Sequence, residues 1–136
     1  MRRKEEERKI KIEQEQQKII RKQQEQSDLE RRLGIILPLV NEANLISKEL
    51  RRDIKFNVKL VKTLPETLPD GTTELPRTEI QIKVDNFEDG YYFTLEEDPF
   101  QERVFEMREM IEEYFDTGKV PTRPKETDPF WGPPEP

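Results

Sequence analysis

A chain of 136 residues holds one domain of ordinary size at most, and this one is 40% charged and only 32% hydrophobic. So little apolar material cannot form a core along the whole length, and part of the chain must be solvated helix, linker or partner-dependent segment. Neither cysteine nor histidine occurs, which removes disulfides, thiolate zinc sites, cysteine nucleophiles and imidazole bases together.

The formal net charge of −6 is unevenly spread. Residues 96–116 carry nine acids against two arginines, whereas residues 51–62 carry five bases against Asp53. These two segments are expected to attract each other. The acidic balance argues against a dedicated nucleic-acid binder. No apolar run approaches the ~20 residues of a membrane span, and Met1 to Arg8 is too charged for a secretory signal.

In chain order, residues 1–28 are almost entirely Lys, Arg, Glu and Gln, with Ile10, Ile12, Ile19 and Ile20 as the sizeable apolar residues beyond Met1. Without Gly or Pro, this composition favours helix. Ile12, Ile19, Gln26, Leu33 and Val40 recur every seven residues, and Leu29, Leu33, Ile36, Val40, Ala43, Ile46 and Leu50 follow spacings of three or four. The pattern fits a coiled-coil seam or a single helix packed along one stripe. Gly34 and Pro38 interrupt it, because Pro38 has no amide hydrogen for the carbonyl of Gly34. A kink or short break is expected at 34–38, with Leu39–Arg52 as a separate amphipathic helix.

The period then changes. Ile54, Phe56, Val58 and Leu60 alternate with Lys55, Asn57 and Lys59, a half-buried strand. Thr63–Pro76, with Pro65, Pro69, Asp70-Gly71 and Pro76, reads as a loop. Ile80, Ile82 and Val84 mark a second strand and Tyr91–Leu95 a third. Asn86 and Asp89-Gly90 turn between them, giving an antiparallel hairpin. In the next helix Asp98 is the expected cap, Pro99 the first helical residue and Gln101 the partner in a capping box. Phe100, Val104, Met107, Ile111 and Tyr114 form an apolar stripe for helix–sheet packing, widened by Phe115, and Gly118 ends the helix. Burial of that stripe is worth roughly 7–15 kcal/mol before entropy is set against it. Residues 119–136, with six prolines, read as an extended linker. Within it Phe130 and Trp131 are expected to anchor on a neighbour or open a following domain.

The expected architecture is therefore α+β and mainly helical: a helical segment at 1–53, a β-β-β-α unit at 54–118 and a Pro-rich linker at 119–136. Catalytic signals are absent. The five glycines are isolated, and Ser27 and Ser47 have no histidine to activate them. Glu96, Glu97 and Asp98 suit a helix amino terminus, and Asp85–Asp89 lacks the ligand spacing of a calcium loop. Tyr91, Tyr92 and Phe93 resemble a base-stacking platform but are better explained by cross-strand packing. Arg51, Arg52, Lys55, Lys59 and Lys62 suit either the solvated face of an edge strand or a site for phosphate, acidic lipid or an acidic protein wall.

Several ordered blocks carry a family resemblance. Ile36-Leu37-Pro38-Leu39-Val40-Asn41-Glu42-Ala43-Asn44-Leu45-Ile46 and Glu49-Leu50-Arg51-Arg52-Asp53-Ile54-Lys55-Phe56 resemble the stalk of kinesin-3 motors, after their forkhead-associated domain. Val84-Asp85-Asn86, Gly90-Tyr91-Tyr92-Phe93-Thr94 and Arg103-Val104-Phe105-Glu106-Met107-Arg108-Glu109-Met110 fit the same region. Asp128-Pro129-Phe130-Trp131 resembles the entry to that family's next tail domain. The likeness covers about residues 29–131. It implies a cytoplasmic, microtubule-based parent that uses ATP and magnesium in a motor domain this chain lacks. The fragment would then be a non-catalytic segment with no cofactor of its own, mediating dimerisation and autoinhibition. The expected partners are a second copy through the seam Leu29–Leu50, hinged at Gly34 and Pro38, and the rest of the motor in cis. The competing expectation is a monomeric module that binds cargo or an adaptor.

Overall fold

The computed structural model describes residues 2–65, 67–72 and 76–135, with the backbone alone at Arg2. Part of the expected loop Thr63–Pro76, together with Met1 and Pro136, lies outside the described residues. The fold is α+β and mainly helical: α1 (Arg2–Glu49), β1 (Ile54–Lys62), β2 (Thr78–Asn86), β3 (Tyr91–Glu96) and α2 (Glu97–Thr117), then a short 3-10 turn at Lys125–Thr127.

The chain divides into residues 1–33 and residues 34–136. The boundary expected at residue 53 thus falls earlier, because residues 34–50 contribute to the core of the second unit. In the first unit, helix formers dominate and Ile10, Ile12, Ile19 and Ile20 are each more than half exposed. Asp28 pairs with Arg31 at 2.6 Å and with Arg32 at 3.4 Å, one turn away on the same helix face.

In the second unit a three-stranded meander, ordered β1-β2-β3, is antiparallel throughout. Phe56 faces Val84, and Val84 faces Phe93 across the next pair. Alternation places Ile54, Phe56, Ile80, Ile82, Val84 and Phe93 on one buried face, while Lys55, Asn57, Lys59 and Glu79 lie exposed on the other. Phe100, Val104, Met107 and Met110 of α2 are buried. Met110 takes the place in the stripe expected for Ile111, which is half-buried with Tyr114.

Two local expectations are corrected. Residues 39–49 of the separate helix expected at Leu39–Arg52 are the last part of α1, which holds Pro38 inside it, and residues 50–52 form the turn that leaves it. The capping box is absent: Glu96 is the cap residue and makes no side-chain cap bond. Here β3 runs straight into α2, so Pro99 falls third in the helix, where its missing amide hydrogen would have had no intrahelical acceptor. Gly118 ends α2 in the left-handed region at φ 70°, and its amide donates to the Tyr114 carbonyl.

Candidate interaction site

The seam selected for self-association lies largely inside the protein. Ile36, Val40, Ala43, Ile46 and Leu50 are at most 6% exposed, packed within residues 34–136. Leu29 and Leu33, in the other unit, are half-buried. Gly34 and Pro38 are exposed on helical backbone, and a Cβ added at Gly34 would meet nothing within 4 Å. The sequence stripe was real, but its cover comes from the same chain.

Two polar side chains in that stripe fix α1 against β1. Asn44 accepts from the Phe56 amide at 2.8 Å and donates to the Phe56 carbonyl at 2.9 Å, so one side-chain amide acts as a short piece of neighbouring strand. Ser47 is buried, and its hydroxyl lies 2.7 Å from the Ile54 carbonyl and 3.1 Å from that of Arg52. The exit from α1 is a Schellman turn: the Arg52 amide donates to Ser47 and the Arg51 amide to Lys48, with Arg51 left-handed at φ 57°. Further along α1, Glu42 accepts two bonds from Arg108 of α2, at 2.6 and 2.7 Å. The guanidinium bond holds the Glu42 carboxyl below its ordinary value, against a smaller opposing effect of burial.

Arg52 is the centre of a clasp that sequence reasoning did not find. Its guanidinium donates to both oxygens of Glu88, at 2.8 and 3.0 Å, and to both of Asp128, at 3.1 and 3.3 Å. The same group lies 4.9 Å from the centre of the Phe130 ring. Glu88 also accepts from the Asp53 amide at 3.1 Å. The Arg52 bond draws the Glu88 carboxyl below its ordinary value of 4.5, outweighing burial. For Arg52, burial opposes the charge, but its bonds to Glu88 and Asp128 prevail and raise its pKa. These pairs are not the attraction expected between residues 51–62 and 96–116: Arg52 takes Glu88 and Asp128, which lie outside the acidic segment, and Arg108 of that segment takes Glu42.

The tail expected to be an extended linker is packed instead. Phe130 is fully buried, its ring 6.1 Å from Phe56, which in turn lies 5.9 Å from Phe100. Arg103 donates to the carbonyls of Pro129 and Trp131. Gly132 accepts from the Tyr91 hydroxyl at 2.8 Å, and a Cβ there would come within 2.6 Å of the Phe93 ring. Glu135 then borders β3: its amide donates to Tyr92 at 3.2 Å, and its carboxylate accepts from the Thr94 amide at 2.9 Å and from the Thr94 hydroxyl. The signal for this clasp was the cluster Asp128-Pro129-Phe130-Trp131-Gly132, whose aromatic bulk has no role in a solvated linker.

Among the described residues no helix is long and apolar enough to cross a membrane, and no cluster of three or more acids is placed to hold a metal. No protein-family model matches the chain, and no curated protein matches it.

Proposed function

We propose that this chain is a non-catalytic interaction module in the stalk or tail of a kinesin-3-type microtubule motor, sealed as a monomer and recruiting cargo or an adaptor. One observation carries this over the dimeric alternative: the stripe Ile36–Leu50, which would form the paired seam, is already buried within residues 34–136. Releasing it would expose four large aliphatic side chains, at a cost of about 6–12 kcal/mol before any compensating contact. The motor context rests on the sequence blocks at 36–56, 84–94 and 103–110, and a cytoplasmic, microtubule-associated location follows from that context.

A second reading, dimerisation with autoinhibition of the motor, is favoured by a different feature. Ile10, Ile12, Ile19 and Ile20 are exposed on the helix of the first unit. In that reading pairing is confined to residues 1–33, and Gly34 and Pro38 mark where paired helix gives way to folded module. Excising residues 34–136 from the parent motor separates the two. The adaptor reading predicts that cargo-free motility persists while cargo no longer attaches. The autoinhibitory reading predicts that cargo-free motility rises. If neither motility nor cargo attachment changes, both are wrong.

A further inference from the structure

We propose that the outer edge of β1, at Val58–Lys62, receives an extended acidic segment of a partner protein as an added strand. At β3, the tail residue Glu135 bonds the backbone of Tyr92 and Thr94. At the start of β1, Asn44 bonds both backbone groups of Phe56, and Ser47 donates to the carbonyl of Ile54. Those bonds establish that the even-numbered residues of β1 turn their amides and carbonyls away from β2, as antiparallel alternation requires.

The same alternation aims the amides and carbonyls of Val58, Leu60 and Lys62 outward. Among the described residues none of these groups has a partner. Leu60 is 51% exposed beside them and Val58 is half-buried, so the open stretch also has an apolar side. An unpaired strand edge is a template for strand addition, where backbone bonds give affinity and alternate side chains give selectivity.

Charge decides the occupant. Lys55, Lys59 and Lys62 are exposed on β1, which carries no acid. Pairing with the same edge of a second copy would bring Lys59 and Lys62 of both strands close together, and like charges across a pair are destabilising. A foreign strand with acids facing Lys59 and apolar residues over Val58 and Leu60 meets both sides of the edge. This inference deepens the reading of the chain as an interaction module and rests on it.

The test titrates the isotope-labelled full chain with a capped peptide of alternating valine and glutamate. Its companions are the valine–lysine peptide and the valine–glutamate peptide methylated on alternate backbone nitrogens. The expected result is binding by the first alone, with amide protection at Val58, Leu60 and Lys62. Lys59→Glu with Lys62→Glu should weaken it about tenfold or more, while circular dichroism stays unchanged. Equal binding of the methylated peptide, perturbation centred elsewhere, or no binding would overturn the proposal. So would attachment to phosphatidylserine vesicles, blocked by the lysine substitutions, without amide protection, since charge alone would then define the site. Failure here with a monomeric chain removes the edge site only; a dimeric chain speaks instead against the monomeric module.

Discussion

At the residue scale the clasp around Arg52 accounts for much of how the tail is retained. Phe130 fills a place among Phe56, Phe100 and the Arg52 guanidinium, so Phe130→Ala should cost about 3–5 kcal/mol of stability in a denaturant melt. Had the tail been a solvated linker, the same change would cost almost nothing. Arg51 offers the opposite sign. It occupies the left-handed region in which only glycine avoids a steric penalty, so Arg51→Gly should raise stability by up to about 1 kcal/mol by the same melt. Glu88 supplies a pH dependence. Its carboxyl is depressed in the folded state by Arg52, so its contribution is present above the unfolded value near 4.5 and disappears as pH falls through the lower folded value. Melts on either side of that range should show Glu88→Gln costing stability at neutral pH and little once the parent carboxyl is protonated.

At the scale of elements, the sequence patterns were informative about which faces are buried and silent about what buries them. The alternation at Ile80, Ile82 and Val84 fixes one face of β2 because a strand's side chains alternate strictly. The stripe of α1 was equally clear at Ile36, Val40, Ala43, Ile46 and Leu50. A three-four spacing, however, fits a second helix and a sheet alike, so periodicity alone could not separate trans from cis cover. Asn44 and Ser47 are polar residues at an apolar stripe and so needed hydrogen-bond partners, which the structure supplies from the backbone of Phe56, Arg52 and Ile54. Phe130 stood out as a candidate anchor, but what it packs on was not legible: proline-rich composition predicts extended backbone, and extended backbone can still lie packed on a sheet. Val40→Glu should therefore unfold residues 34–136, costing several kcal/mol, whereas Ile12→Glu on the exposed helix should change stability by no more than about 0.5 kcal/mol. Circular dichroism during thermal melting reads both. A Val40→Glu protein that kept its fold and its melting point would show that the stripe is not sealed in cis.

For the whole molecule, the two units divide the work. The second unit, Gly34 onward, encloses its own core, held by ion pairs and by the tail clasp, while residues 2–33 are solvated helix with scattered exposed isoleucines. On the proposed reading, the buried stripe Ile36–Leu50 is not open to a second copy. Light scattering of the full chain across micromolar concentrations tests this most directly. The account predicts one concentration-independent molar mass of 16.4 kDa. A mass of twice that, lost on Val40→Glu substitution while the fold is retained, would contradict it.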